Sequence, residues 1–157
     1  MPTITPFLWF DNQAEQAMQL YTSIFKNSKV KDVQRYPEGA PGLAGSVMTA
    51  TITLNGQDVL LLNGGPMYKF NEAVSMFVSC ETQAEVDDLW SKLTADGGEE
   101  GQCGWLKDKF GLSWQIVPQQ LGSLLGDPDP VKAQKAMQAM LQMKKLDVKA
   151  LEAARDS

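Results

Sequence analysis

The sequence predicts an α+β chain made of paired βαβββ modules with a helical C-terminal tail. Three observations carry that reading. Stretches of period-two and helix-period hydrophobicity follow the order strand, helix, strand, strand, strand, and that order then begins again. The segments Asp11-Asn12-Gln13-Ala14-Glu15 and Glu81-Thr82-Gln83-Ala84-Glu85 match in residue type at an offset of 70 residues, each following a strand and opening an amphipathic helix. Past Leu121 the strand patterns stop and helical spacing takes over. With 157 residues, 43% hydrophobic and 21% charged, the chain is expected to be one domain, 1–157. Module one spans about 3–65, module two about 73–118 and the tail about 121–157.

Element by element, Ile4 to Phe10 is a β-favouring run, and Asp11-Asn12 offer capping side chains to the helix behind it. Ala14, Ala17, Met18, Tyr21 and Phe25 recur at spacings of three and four, so they share one face of that helix, which ends near Lys26-Asn27-Ser28. Val30 to Tyr36 reads as a strand and Pro37 to Gly45 as a loop. Ser46 to Leu54 is a strand in which Val47, Thr49, Thr51 and Thr53 alternate with Met48, Ala50, Ile52 and Leu54. Asn55-Gly56 is the strongest two-residue hairpin signal, so Gln57 to Asn63 returns antiparallel. In module two, Ala73 to Cys80 is a strand, Glu81-Thr82 a helix start, and Val86, Leu89, Trp90 and Leu93 a helical stripe. Glu99 to Trp105 holds a strand, Lys107 to Gly111 a solvated turn, and Leu112 to Val117 a last strand stopped by Pro118. In the tail, Asp129-Pro130 supplies a cap and a first-turn proline, with Ala133, Met137, Met140, Leu141 and Lys144 at helical spacing. Asp147 caps one more short helix, and the Met stripe reads as core or partner-packing surface.

Composition excludes several function classes. Net charge is −5 and the 14 Lys and Arg are scattered, so there is no basic footprint for a phosphate backbone, and nucleic acid is not an expected partner. Met1 to Pro6 has no basic region ahead of an apolar run, and the longest apolar run, Val59 to Leu62, is far short of the roughly 20 residues that cross a bilayer. No membrane partner and a cytoplasmic location are therefore expected, which two unpaired cysteines, Cys80 and Cys103, also suit. Histidine is absent, which removes Ser-His-Asp, Cys-His and His-zinc chemistries. Cys80 reads as buried and Cys103 as more accessible, with no basic neighbour in sequence to make a thiolate. Glu15 and Glu85 lie in first helical turns, where the helix dipole stabilises a carboxylate.

Four segments carry a family resemblance: Ile4-Thr5-Pro6-Phe7-Leu8-Trp9-Phe10-Asp11, Leu54-Asn55-Gly56-Gln57, Asn63-Gly64-Gly65-Pro66, and the run from Cys103 to Pro118. Together they resemble the PhnB-like branch of the vicinal-oxygen-chelate (glyoxalase/bleomycin resistance/dioxygenase) superfamily, often labelled demethylubiquinone methyltransferase, over nearly the whole chain including the tail from Asp127 to Lys145. The resemblance implies curved sheets around a pocket, commonly within a homodimer. In metal-using relatives, inward His, Glu or Gln residues on four strands chelate a divalent ion. Carried onto this chain, those positions fall at Thr5 (Pro6 if the register slips), Val59 or Leu61, Ser75 and Gln115, of which only Gln115 is a plausible ligand, so neither a metal nor another cofactor is expected.

With Gln115 facing the concavity, alternation puts Ser113 and Val117 on its side and Trp114 and Ile116 on the other. The same rule groups Ser75, Phe77 and Ser79, and Thr5, Phe7 and Trp9. The candidate ligand-binding set is Thr5, Phe7, Trp9, Ser75, Phe77, Ser113 and Gln115, an aromatic surface with a few hydroxyls and one amide that suits a weakly polar small molecule. The plainer reading is that these side chains only fill an interior. Trp105 and Trp114 read as packing anchors. Three functions stay open: a homodimeric small-molecule binding protein, a metal-independent isomerase or lyase using a hydroxyl and the Gln115 amide, and an interaction module with a vestigial pocket. Methyl transfer is disfavoured, because Asn63-Gly64-Gly65-Pro66 lacks the strand-turn-helix setting of a doubly wound adenosylmethionine site.

Overall fold

In the computed structural model, which describes residues 1–157, the chain runs as two units, Met1–Phe70 and Asn71–Ser157. Unit one contains strand β1 (Phe7–Phe10), helix α1 (Ala14–Ile24) and strands β2 (Lys29–Arg35), β3 (Val47–Leu54) and β4 (Gln57–Asn63). Its sheet has the order β1-β4-β3-β2, with β1 parallel to β4 and the other pairs antiparallel. Unit two contains β5 (Ser75–Cys80), α2 (Gln83–Thr94), β6 (Glu99–Glu100), β7 (Trp105–Lys107) and β8 (Ser113–Pro118). Its sheet, β5-β8-β7-β6, repeats the order and the pairing senses of the first. The five-residue match at the two helix starts therefore marks a duplicated βαβββ topology. The tail adds α3 (Leu121–Leu125), α4 (Pro130–Leu141) and α5 (Val148–Arg155) to unit two.

In unit one, α1 packs on β3 and β4 and buries Ala14, Ala17, Met18 and Tyr21. Leu8 and Phe10 of β1 join that buried layer, while Phe7 and Trp9 point to the opposite face. Asn55 and Gly56 both have positive φ, 46° and 86°, as a type I′ turn needs, and this tight turn locks Leu54 against Gln57. Two expectations fail here. The strict alternation along β3 breaks: Val47 is buried as well as Ala50, Ile52 and Leu54, because a bulge skips Met48 between the pairs Gln34–Thr49 and Arg35–Val47. Nor do Asp11 and Asn12 cap α1; Gln13 occupies the cap without a side-chain bond, and the Ala14 N–H donates to Oδ1 of the buried Asn63 at 2.8 Å. Asn63 Nδ2 in turn donates to the Val47 carbonyl at 2.9 Å, so the end of β4 holds both the helix start and β3.

In unit two, α2 packs on β7 and β8 with Val86, Leu89, Trp90 and Leu93 buried. At its start Thr82 Oγ1 accepts from the Glu85 N–H, and the Glu85 carboxylate accepts from the N–H of Glu81, one residue ahead of the cap. The expected strand from Glu99 to Trp105 is instead two short strands, β6 and β7, joined by a turn with positive φ at Cys103 (57°) and Gly104 (87°). Gly104 also tolerates no side chain, since an added Cβ would lie 2.9 Å from a Leu146 methyl and 3.1 Å from the Ile116 carbonyl. The expected solvated turn at Asp108 is wrong. Asp108 is buried and accepts from the N–H groups of Phe110 and Leu112 and from Trp114 Nε1, at 2.9, 3.1 and 2.9 Å.

The tail lies against unit two along a defined seam. Cys103 and Gly104 N–H donate to the Met143 and Lys144 carbonyls, and Gln83 bridges the Leu146 carbonyl and the Val148 N–H. Asp129 and Asp147 cap α4 and α5 as expected. The face of α4 that packs inward carries Ala136, Ala139 and Met140, with Leu124 and Leu151 as neighbours, while Met137 and Leu141 of the expected stripe are exposed. Small alanines set that choice, because they let three short helices approach one another closely. No helix is long and apolar enough to cross a membrane.

Candidate functional site

Helix α2 covers one face of the second sheet and takes Trp114, Ile116, Leu106 and Cys80, all buried. The other face is set by the ladder register. Across it, Phe77 of β5 pairs with Gln115 of β8, and Gln115 pairs with Trp105 of β7, so an amide stands between two aromatic side chains. The next row reads Ser75, Ser113, Lys107 and Glu99 across all four strands. On the far side, Ser79 pairs with Val117. Parity alone therefore brings Ser75, Phe77, Ser113 and Gln115 together. Thr5, Phe7 and Trp9 belong to unit one, where Thr5 precedes β1, Phe7 is exposed, and Trp9 donates its indole N–H to the Gly65 carbonyl and meets Tyr68 edge to face.

Polar groups on this face of unit two are unevenly satisfied. Gln115 Nε2 donates to Ser75 Oγ at 3.0 Å, a diagonal bond that fixes the amide and leaves its carbonyl oxygen without a protein donor. Of the four tryptophans, Trp9, Trp90 and Trp114 donate their indole N–H to Gly65, Glu100 and Asp108, whereas that of Trp105 has no protein partner. That side chain is only partly buried, so its indole N–H is open to whatever fills the face beside it. Lys107 forms an ion pair with Glu72; that hydrogen bond holds the Glu72 carboxyl below its ordinary range and pushes the Lys107 ammonium above its own.

Around the aromatic row lies an open cleft of about 450 Å³. Phe77, Trp105, Gln115 and Val117 form its floor, and Leu121, Leu125 and Met140 from the tail form one wall. The sequence reading missed these tail residues, since helix spacing alone cannot say which sheet a tail will meet. Trp105, expected as a packing anchor, is partly buried and also belongs to this floor, a placement legible only once the turn before its three-residue strand is known. Cys103 is half-buried at the cleft, its Sγ 3.6 Å from the Met140 carbonyl, and Cys80 is buried on the opposite face, its thiol pushed up to about 11 first by burial and then by the Glu85 charge.

The duplicated topology also tests whether the residues fit a chelated metal. Phe7 pairs with Leu60 in β1–β4 as Phe77 pairs with Gln115 in β5–β8, so the counterpart of Gln115 is Leu60. The expected position at Val59 or Leu61 is wrong, because both side chains are fully buried in the layer that α1 covers. Leucine offers no donor, Gln115 offers an amide, and no group of three His, Cys, Asp or Glu could hold an ion. The residues do not fit one.

Residues 2–117 match the family described as 3-demethylubiquinone-9 3-methyltransferase. The match stops before α3, so the tail lies beyond it, contrary to the reach expected from sequence. The chain is similar to a putative 3-demethylubiquinone-9 3-methyltransferase, PhnB protein, from Bacillus cereus, at 38% identity and a TM-score of 0.70, over 74% of this chain and 99% of that one. Two more distant solved structures share the fold. One is a Pseudomonas aeruginosa protein, 18% identical with a TM-score of 0.64, over 75% of this chain and 98% of that one. The other is the fosfomycin resistance protein FosX of Listeria monocytogenes, 12% identical with a TM-score of 0.52, over 78% and 96%. No curated protein matches the chain.

Proposed function

We propose that this chain, which belongs to the PhnB-like family described as 3-demethylubiquinone-9 3-methyltransferase, within the vicinal-oxygen-chelate superfamily, is a small-molecule binding protein that holds its ligand on the open face of its second sheet. The supporting observation is the row Phe77–Gln115–Trp105, in which two aromatic side chains flank an amide whose carbonyl oxygen, like the neighbouring indole N–H, has no protein partner. Aromatic and aliphatic walls reward burial of a ring or chain, and the few unpartnered polar atoms orient it. A weakly polar ligand fits that balance. Methyl transfer, named in the family's description, has less support in this chain, since the doubly wound parallel sheet that usually holds adenosylmethionine differs from two four-stranded mixed sheets.

A metabolite screen by thermal shift tests the reading, because a ligand that binds only the folded state raises apparent stability. For a hit, Gln115→Leu is expected to leave the unfolding midpoint of the free protein nearly unchanged and to weaken binding by about 1 kcal/mol, roughly fivefold, for one neutral hydrogen bond. Undiminished affinity in that variant would remove the ligand from this face. Turnover of the hit, followed by mass spectrometry, would convert the binding protein into a metal-independent enzyme.

A further inference from the structure

The tail wall of the cleft is built from Leu121, Leu125 and Met140, which are partly buried against the tail's own core of Leu124, Ala136 and Leu151 and border the cleft with what remains. No Asp, Glu, Lys or Arg lines the cleft, so a charged group placed there would lose water without gaining a counterion. The wall is also firmly anchored. Cys103 and Gly104 N–H donate to the Met143 and Lys144 carbonyls, both at 2.8 Å, and Lys145 pairs with Asp87 at 2.8 Å. Gln83 of α2 donates to the Leu146 carbonyl at 2.8 Å and accepts from the Val148 N–H at 2.9 Å. Leu146 is fully buried, with a methyl filling the space that a side chain at Gly104 would need. Trp105 follows the Cys103-Gly104 turn directly, so the segment that walls the cleft also holds the turn that sets its floor. This wall lies beyond the family match, which ends at residue 117, and a share of the chain as large as the tail has no counterpart in the Bacillus cereus relative.

We propose that the tail is the ligand-selecting element of this site: it admits an uncharged molecule between its apolar wall and the Phe77–Gln115–Trp105 row, and that molecule, touching both, tightens the docking of the tail. The inference rests on the binding reading above. Gln83 is then a positioning residue, because it does not line the cleft and acts on a ligand only through the tail it anchors. The coupling is reciprocal: docking of the tail strengthens binding by the same factor by which binding strengthens docking.

Uncharged N-phenyl-1-naphthylamine and its anionic counterpart 8-anilinonaphthalene-1-sulfonate share one apolar body, and both are titrated into the full chain while the Trp105 indole N–H resonance is followed. The uncharged probe is expected to bind the tighter of the two, to shift Trp105, and to slow hydrogen exchange at the Cys103 and Gly104 amides that join turn to tail. Gln83→Ala is expected to weaken that probe roughly fivefold, the low end of coupling between linked sites. Gly122 of α3 lines the cleft, and a side chain there meets nothing within 4 Å, so Gly122→Lys tests the wall without touching the seam should Gln83→Ala loosen unit two as a whole. It is expected to tighten the sulfonate roughly threefold, the size of one solvated ion pair, whereas Met137→Lys on the exposed face of α4 changes neither probe. A probe that moves Trp105 yet binds Gln83→Ala as tightly as the unaltered protein, with Gly122→Lys also without effect, would overturn the role of the tail and leave the open-face reading in place. Sulfonate binding as tight as that of the uncharged probe would overturn the selection against charge. If neither probe moves the Trp105 resonance, the cleft reading and the role of the tail fail together.

Discussion

Asp108 shows how much one side chain can decide in this molecule. Flanked by two lysines in sequence, it is nonetheless buried and gathers three N–H donors, among them the indole of Trp114, the largest fully buried side chain. Those bonds close the turn before β8 and hold Trp114 on the helix side, which in turn places Gln115 on the open side. Removing the carboxylate leaves buried donors unpaired. Asp108→Ala is therefore expected to cost about 3 kcal/mol of stability by urea unfolding, the scale for buried hydrogen bonds to a charged group, and a loss below about 1 kcal/mol would show that the turn holds without it. Sequence gave no hint of this role, since a lysine-flanked aspartate before Gly111 is usually a solvated turn residue. Gln115 was legible because its parity follows from alternation along a regular strand. Trp105 was not, because its strand is three residues long and its turn needs the positive φ of Cys103 and Gly104.

Among the elements, those with local signals were legible and those fixed by distant partners were not. The Asn55-Gly56 hairpin, the helix start at Glu81-Thr82 and the caps at Asp129 and Asp147 are each written within a few residues and stand as expected. The start of α1 is different: its orphan N–H is met by Asn63, 49 residues away, which no reading of nearby residues can find. Replacing Asn63 with Ala removes a helix cap and the bond to Val47 together, so the variant is expected to lose about 2 kcal/mol, measured by chemical denaturation with hydrogen exchange locating the loss in α1. Unchanged protection of the first-turn amides of α1 would contradict this. The tail shows the same limit, because its helices were legible from their caps and its place against Gln83 and Gly104 was not.

At the scale of the whole molecule, a βαβββ topology is used twice with different faces. The first copy puts Leu60 where the second puts Gln115, and the second alone carries the three-helix tail that walls a cleft. The exposed apolar side chains of Val131, Met137 and Leu141 on α4 suit a partner surface, and twofold pairing is the commonest assembly, so light scattering at micromolar concentration is expected to give a dimer mass. A monomer mass would set that aside. The central claim, that the open face of the second sheet is where a small molecule binds, has a more direct test in the four indole N–H resonances. When a stabilising metabolite is titrated to saturation, the account predicts that the Trp105 signal shifts most while Trp90 and Trp114, already bonded to Glu100 and Asp108 on the far side, stay nearly fixed. A metabolite that stabilises the protein and leaves Trp105 unmoved would contradict it.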